Sequence, residues 1–183
     1  MDEEWSLILS AKKDPAAFEP LYNKYFESIF RFVYQRMEDM DTARDITQQS
    51  FIKALDGIHR FENRGVPFKS WLYRIALNEL NLFFRKNQAS RHINLDDNDA
   101  LELSEELDED PYEGFYGKLG ELLGTLKQES LNLIEMRFFE KRSFREISEI
   151  LGITENNAKV KMYRLLEKLK ARITGKTKTE DKA

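Results

Sequence analysis

The chain has 183 residues, of which 41% are hydrophobic and 34% are charged, with a net charge of −4 and only eight glycines and four prolines. Domains commonly contain about 100 to 150 residues, so this length allows one sizeable core or two small ones, and the scarcity of helix breakers favours an all-α fold. The lack of cysteine excludes disulfides, thiolate metal sites and cysteine nucleophiles, and His59 and His92 are too few for a histidine metal cluster.

The amino terminus gives no sign of export. Residues 1–10 carry three acidic residues where a signal peptide has a basic region before an apolar run, and nowhere do about 18 consecutive apolar residues occur. We therefore expect a cytoplasmic protein with no membrane insertion, no metal and no cofactor.

Two helices are predicted in the first third of the chain. Asp14 and Pro15 begin the first helix as its N-cap and first helical residue. Apolar and aromatic residues recur at helical spacing over residues 18–33 and mark a broad buried face. Asp41 is the predicted N-cap of the second helix, and Gly57 is its predicted stop.

A third helix is predicted from Pro67 to about Asn87, after a loop that starts at Phe61. One face of this helix carries a polar stripe of Ser70, Arg74, Asn78, Asn81 and Arg85, interleaved with Tyr73 and Phe84. The predicted core face consists of Trp71, Leu72, Ile75, Ala76, Leu82 and Phe83. The stripe suits a nucleic-acid backbone, although a solvated helix face has the same pattern.

Residues 94–117 hold ten acidic side chains and no basic one, which accounts for the net negative charge of the chain. Self-repulsion predicts an extended, flexible linker here. The alternative is a packed helix anchored by Leu95, Leu101, Leu103 and Leu107. A second helical bundle is expected over residues 118–173, and residues 174–183 are expected to form a disordered tail.

A helix-turn-helix is predicted inside the second bundle. Ser143 and Glu146 have the spacing of a capping box at a helix start. Gly152 supplies the positive φ that a sharp turn needs, Ile153 fills the corner, and Thr154 caps the next helix. These signals coincide within a short segment and predict a DNA-binding motif.

The second helix of this motif has two distinct faces. Ala158, Met162, Leu165 and Leu169 are predicted to pack inward. The opposite face carries Asn156, Asn157, Lys159, Lys161, Tyr163, Arg164 and Lys168. Amides that pair with base edges and cations that reach phosphates suit a major-groove recognition helix. The alternative for the motif is an ordinary helical hairpin with a solvated basic face. The alternative for Tyr163 is that its side chain covers the edge of the core.

The segment Phe68–Ala76, followed by Asn78, strongly resembles the signature of bacterial sigma factors of the extracytoplasmic-function type, in the sigma-70 family. Four segments occur in the family's order: residues 21–37 resemble region 2.1, residues 43–51 region 2.2, residues 60–86 regions 2.3 and 2.4, and residues 122–173 region 4. The resemblance implies two small helical domains, a region 2 domain over residues 1–93 and a region 4 domain over residues 118–173, and no catalytic residue.

The resemblance implies that region 2.2 docks on the β′ clamp helices of core RNA polymerase and that region 4 meets the β flap. The candidates for the clamp contact are Asp45, Gln48, Gln49 and Phe51. Two alternatives stay open: Asp45 pairs with Arg44 or Lys53, and Phe51 is a core residue.

Promoter DNA is the second implied partner. In the family, the loop that corresponds to residues 62–67 captures a flipped base of the minus-ten element, and region 4 reads the minus-thirty-five element. The candidate minus-ten contacts are Arg60, Phe61, Asn63, Phe68, Lys69, Arg74, Asn78, Arg85 and Lys86. The candidate minus-thirty-five contacts are Asn156, Asn157, Lys159, Val160, Lys161, Tyr163 and Arg164.

By position, the acidic linker resembles the segment that family members thread toward the RNA exit channel, and a solvated tether is the alternative. The resemblance also leaves an anti-sigma factor open as a partner. A DNA-binding regulator that works without polymerase would leave the amino-terminal signature unexplained. An enzyme is the weakest reading, because no phosphate loop, metal ligand set or nucleophile with an adjacent base occurs.

Overall fold

The residues that the structure describes are mainly helical. The computed structural model describes residues 3–62, 65–87, 91–93, 95–109 and 114–175. No strand occurs within these ranges, which confirms the predicted all-α class. None of the helices in the described part of the chain is long and apolar enough to cross a membrane. The chain divides into two compact units, Met1–His92 and Ile93–Ala183.

The described residues of the amino-terminal unit form a bundle of four helices. They are α1 (Glu3–Ala11), α2 (Glu19–Tyr34), α3 (Met40–Gly57) and α4 (Phe68–Asn87), with 3-10 turns at Pro15–Phe18 and Ile58–Arg60. The central helix α3 packs against α2 and α4, which also contact each other, and α1 packs against α2. Asp14 is the predicted cap, because its carboxylate accepts a hydrogen bond from the Ala16 N–H at 3.0 Å, but a 3-10 turn follows it and the α-helix itself begins at Glu19.

The start of α3 differs from its prediction. Asp39, and not Asp41, is the N-cap: its backbone is extended and its carboxylate accepts a hydrogen bond from the Thr42 N–H at 2.7 Å. Hydrogen bonds from the Thr42 side chain and from its backbone N–H lower the pKa of Asp39. Asp41 lies in the first turn, where its charge favours the positive end of the helix dipole. The helix ends at Gly57 as predicted, but Gly57 has φ of −89° and is not in the left-handed region, and the chain continues into a 3-10 turn.

The buried face of α4 is rotated relative to the predicted one. Leu72 and Ala76 are buried as predicted, whereas four other predicted core residues are only half-buried: Trp71, Ile75, Leu82 and Phe83. Tyr73 and Phe84, predicted to lie on the polar surface, are each 5% exposed. The Tyr73 ring packs edge-on against Phe32 at 4.9 Å. The reason is that α4 packs against both α2 and α3, so that its buried arc is wide and faces two partners.

The carboxy-terminal unit contains five helices within its described residues. They are α5 (Asp97–Glu106), α6 (Phe115–Gly124), α7 (Gln128–Ile134), α8 (Phe144–Leu151) and α9 (Glu155–Ile173), with a π-helical turn at Glu135–Phe139. The long helix α9 contacts α6, α7 and α8, and α5 contacts α6 and the π-helical turn. Most of the predicted tail lies outside the described residues.

The acidic segment is not an extended linker over residues 97–106, because these residues form α5 as part of the carboxy-terminal unit. The Asp96 carboxylate caps the helix by accepting a hydrogen bond from the Asp99 N–H at 2.8 Å. Leu103 and Leu107 are fully buried, whereas Leu101 is 43% exposed. The alternative of a packed helix with leucine anchors is therefore the one that the structure supports.

Two cations from distant parts of the chain pair with carboxylates of α5 and of the turn that follows it. The Lys141 ammonium lies 3.0 Å from an Asp99 carboxylate oxygen and also pairs with Glu102. Burial opposes the charge on Lys141, but the hydrogen bonds to Glu102 and Asp99 outweigh it and raise the pKa of Lys141. Lys170 pairs with Asp108 at 2.6 Å and lowers the pKa of that carboxyl. The self-repulsion predicted from the local sequence is thus offset by charges remote in sequence.

Candidate functional site

The corner between α8 and α9 has the predicted geometry. The Ser143 N–H donates to the Glu146 carboxylate at 3.0 Å and the Glu146 N–H donates to the Ser143 hydroxyl at 3.2 Å, which completes a capping box. Gly152 has φ of 68° and ψ of 35°, in the left-handed region. The Thr154 hydroxyl accepts a hydrogen bond from the Asn157 N–H at 3.2 Å and begins α9. The predicted helix-turn-helix elements are confirmed.

The two predicted faces of α9 are also present. Ala158, Met162, Leu165 and Leu169 are all buried. The opposite face exposes Asn156, Asn157, Lys161, Tyr163, Arg164 and Lys168. Tyr163 is 60% exposed, so the alternative in which it covers the core edge is wrong. Both asparagines lie in the first turn of the helix, and the cations begin one turn further on.

The basic residues of α9 differ in their burial and in their ion pairs. Lys159 is half-buried, pairs with Glu155 at 2.7 Å and lies 6.0 Å from the centre of the Phe144 ring. Val160 is half-buried as well. Within the part of the chain that the structure describes, Lys161 and Arg164 form no ion pair. Lys168 is likewise exposed without an ion pair among the described residues, so Lys161, Arg164 and Lys168 are the cations of this face available to a phosphate or a base.

The loop before α4 rests on an aromatic cluster of Phe61, Phe68 and Trp71. The ring centres are 5.3 Å apart for Phe61 and Phe68, 5.1 Å for Phe61 and Trp71, and 5.4 Å for Phe68 and Trp71. Phe61 is 5% exposed and Phe68 is 2% exposed, so neither ring offers a free face on which a base can stack. Both residues hold the loop in place instead. Asn63 lies outside the described residues.

The cations predicted for minus-ten contacts lie at the surface of the amino-terminal unit. Arg60 and Lys69 flank the loop and are exposed, and the Lys69 ammonium lies 5.9 Å from the centre of the Tyr73 ring. The remaining predicted contacts on α4 comprise three exposed residues and one half-buried residue. The exposed ones are Asn78, Arg85 and Lys86, and the half-buried one is Arg74. The outer face of α4 therefore offers a polar, partly basic row.

The predicted clamp-binding residues on α3 separate into two groups. Asp45, Gln48 and Gln49 are exposed, whereas Phe51 is 3% exposed. The Phe51 ring packs against Tyr22, with the ring centres 4.8 Å apart. Phe51 is therefore a core residue, which removes it from the exposed contact surface.

Two alternatives for the α3 face can be decided from its ion pairs. Arg44 pairs with Asp41 at 3.2 Å and Lys53 pairs with Glu79 at 2.5 Å, so neither cation neutralises Asp45. Ile52 is 53% exposed and shares the helical face of Asp45 and Gln48, at a spacing of seven and four residues. We define the exposed α3 face as Asp45, Gln48, Gln49 and Ile52. The spacing alone could have revealed Ile52 in the sequence.

A groove of about 400 Å³ runs between α3 and α4 next to this face. Its α3 side is lined by Thr42, Asp45, Ile46 and Gln49. Its α4 side is lined by Glu79, Leu82, Phe83, Lys86 and Asn87. The half-buried Leu82 and Phe83, which were predicted as core, form the apolar floor of an open surface. The exposed α3 face thus continues into a concave region with both polar and apolar walls.

Comparisons with known proteins match both units. The family model Sigma-70 region 2 matches residues 21–90, and the model Sigma-70, region 4 matches residues 116–169. RNA polymerase sigma factor SigV of Bacillus subtilis is 30% identical over 148 residues, which cover 81% of this chain and 86% of SigV. RNA polymerase sigma factor YlaC of the same organism is 27% identical over 169 residues, which cover 91% of this chain and 96% of YlaC.

The fold has a solved counterpart. The structure of CnrH in complex with the cytosolic domain of CnrY aligns with a TM-score of 0.57 at 19% identity, covering 93% of this chain and 97% of the other. This similarity shows a shared all-α fold.

A helical protein of two units with an exposed basic helix-turn-helix face has the architecture of a DNA-binding transcription protein. The chain belongs to the sigma-70 family of RNA polymerase sigma factors, in its extracytoplasmic-function branch. It is therefore a factor that directs promoter-specific initiation of transcription.

Proposed function

We propose that the two units grip two different promoter elements, with α9 reading the minus-thirty-five element as duplex and the loop before α4 capturing the minus-ten element as single strand. The observation that carries the proposal is the outer face of α9. It presents two exposed asparagines in the first turn and the unpaired cations Lys161 and Arg164 beyond them. The amino-terminal turns of a recognition helix are the part that reaches base edges in the major groove.

The chemistry of this face suggests how the contacts divide. An asparagine amide can donate to and accept from adenine, and an arginine fork can donate twice to guanine. Arg164 is therefore the stronger candidate for base reading, while Lys161 acts as a point charge toward a phosphate. Lys159 contributes less, because its ammonium is already held by Glu155.

Binding of holoenzyme to promoter DNA at several salt concentrations tests these roles. The logarithm of the binding constant falls with the logarithm of the salt concentration, by about 0.9 for each phosphate contact. Lys161→Ala should therefore make this slope less negative by about one. Arg164→Ala should weaken binding to the cognate promoter by about 1 to 3 kcal/mol and relax preference at one base pair. Lys127→Ala, an exposed cation outside α9, is the matched control. Equal effects of Lys127→Ala and Lys161→Ala would contradict the proposal.

For the minus-ten element we propose that Arg60, Lys69, Arg85 and Lys86 hold phosphates while the loop of residues 62–67 captures the extruded base. These cations are exposed around the loop and along α4. Gly65 has φ of 81° and nothing lies within 4 Å of an added Cβ, so a base can approach the backbone closely. Capture of the base would offset an unstacking cost of a few kcal/mol, on the order of what base flipping requires.

Asn63 is proposed to hydrogen-bond the edge of the captured base. Asn63→Ala should chiefly impair promoter opening, which permanganate footprinting of unpaired thymines measures, and should leave duplex binding through α9 unchanged. Normal opening by Asn63→Ala would remove this residue from the proposal.

The exposed α3 face is proposed to bind the clamp helices of core RNA polymerase, with Ile52 as its apolar anchor. An apolar side chain within a polar row is the composition of an interface centre. Ile52→Ala should weaken binding to core polymerase while the free energy of unfolding stays within about 0.5 kcal/mol, as expected for a surface substitution. Phe51→Ala should instead lower stability by about 3 to 5 kcal/mol. Unchanged polymerase binding in Ile52→Ala would refute the anchor.

The complete function is tested by run-off transcription with core polymerase. We expect the protein alone to bind promoter duplex poorly and the holoenzyme to initiate specifically, from a cytoplasmic location and with no catalytic step of the protein's own. Tight operator binding without polymerase would favour a plain regulator. CnrH was solved with the cytosolic domain of CnrY, and we propose that a protein partner of the anti-sigma class also binds this chain, which co-purification can detect.

A further inference from the structure

A cavity of about 230 Å³ lies between α1 and the loop before α4. From α1 it is lined by Glu4, Trp5 and Ile8, and from the loop and the start of α4 by Phe61, Gly65, Pro67 and Phe68. Pockets for drug-sized ligands measure about 300 to 1,000 Å³, so this cavity suits a single small planar group. Gly65 and Pro67 are exposed and form its rim.

Helix α1 is held in place by polar contacts at both of its ends. The Lys12 ammonium donates a hydrogen bond to the Phe61 carbonyl oxygen at 2.5 Å, which ties the end of α1 to the start of the loop. At the other end of α1, Glu4 pairs with Lys24 at 2.6 Å and accepts a hydrogen bond from the Tyr25 hydroxyl. Helix α1 is thus joined to Phe61 by Lys12, to α2 by Glu4, and to the core by the buried Ile8.

Trp5 is the aromatic residue of this cavity with a free surface. The rings of Phe61 and Phe68 are buried beneath the loop, whereas Trp5 is half-buried. Its ring centre lies 6.4 Å from that of Phe61 and 5.4 Å from the Lys12 ammonium. A half-exposed indole with a cation beside it is a combination that binds stacked bases and their phosphates.

We propose that α1 forms one wall of the base-capturing pocket, in which Trp5 stacks on the extruded base and Lys12 positions both Trp5 and the loop. This inference rests on the proposed role of residues 62–67 in the minus-ten grip. It assigns to Trp5 a stacking role that the buried rings of Phe61 and Phe68, both candidate minus-ten contacts, do not offer, and it makes α1 a determinant of promoter opening.

The test compares Trp5→Leu with Trp5→Phe in holoenzyme. Both variants keep apolar volume against Phe61, but only phenylalanine can stack on a base. The substrate is a promoter mapped from transcription starts, either intact or carrying single abasic sites placed one at a time along the nontemplate strand of the melted segment. Open-complex formation is followed by permanganate footprinting, and Lys13→Ala, an exposed neighbour, is the control for Lys12→Ala.

On intact promoter we expect Trp5→Leu to reduce open-complex formation by about tenfold, within the range of a single base–aromatic stack, and Trp5→Phe to retain most of it. At one abasic position Trp5→Leu and the wild type should become equal, because no base remains to stack. A defect of Trp5→Leu that persists at every abasic position, or equal defects of the leucine and phenylalanine variants, would overturn the stacking role. A wild-type holoenzyme that opens no promoter would refute the proposed minus-ten grip itself, which is a distinct outcome.

Discussion

Replacing Leu103 by alanine tests whether the acidic helix α5 is an integral part of the carboxy-terminal unit. Leu103 is fully buried, and removing a buried leucine side chain costs about 2 to 5 kcal/mol. With a urea m value of about 2 kcal/mol/M, a loss of about 3 kcal/mol lowers the unfolding midpoint by about 1.5 M. A flexible tether predicts no change at all.

The two units can be followed separately during urea unfolding. Both tryptophans, Trp5 and Trp71, lie in the amino-terminal unit, so their fluorescence reports that unit, whereas far-UV circular dichroism reports the helices of both. We expect Leu103→Ala to shift the midpoint of the circular-dichroism transition of the carboxy-terminal unit and to leave the fluorescence transition unchanged.

Leu101→Ala is the matched control on the same helix. Leu101 is 43% exposed, so its truncation should change stability by less than about 0.5 kcal/mol. If Leu103→Ala and Leu101→Ala unfold at the same urea concentration as the wild type, α5 does not pack and its assignment to the carboxy-terminal unit is wrong.

Two further predictions concern stability. Gly152→Ala should destabilise the carboxy-terminal unit by about 1 kcal/mol, because Gly152 has a φ of 68°. Gly117→Ala should instead raise stability by up to about 1 kcal/mol, because Gly117 lies in α6 and nothing is within 4 Å of the added Cβ. Thermal unfolding measures whether each variant is less or more stable than the wild type. Burial and the hydrogen bond to Glu4 raise the pKa of Tyr25 from 10.0 to about 12, so the folded state favours the protonated phenol. Its contribution to stability is therefore full below pH 10 and is lost as the pH rises toward 12. Tyr25→Phe should lose less stability than the wild type over this interval in urea titrations, and an identical alkaline loss in both proteins would contradict the assignment.

The sequence determined the helix-turn-helix because every interaction that builds its corner is local. The capping box joins Ser143 to Glu146, and the Thr154 hydroxyl accepts a hydrogen bond from the Asn157 N–H three residues later. The positive φ of Gly152 depends only on the lack of a side chain at that residue. Such signals depend on neighbours within one helical turn, so residue order alone specifies them.

The N-cap residue of α3 could not be predicted from the sequence alone. Asp39 and Asp41 both have the chemistry of an N-cap, and the choice depends on which residue adopts the extended backbone before the helix. In the structure Asp39 does so, with φ of −103° and ψ of 121°. Two candidates only two residues apart are equivalent in sequence, so the choice becomes visible only in the backbone of the folded chain.

Only the tertiary structure decided which of the remaining side chains are buried and whether the acidic segment forms a helix. Phe51 became core because Tyr22 of another helix meets its ring, and Tyr73 turned inward because α4 packs against two helices. The acidic segment folded as α5 because Leu103 and Leu107 are buried within the unit, and because Lys141, remote in sequence, pairs with Asp99 and Glu102. Local periodicity and local charge describe a segment in isolation, whereas burial and ion pairing depend on partners that the fold brings together across the chain.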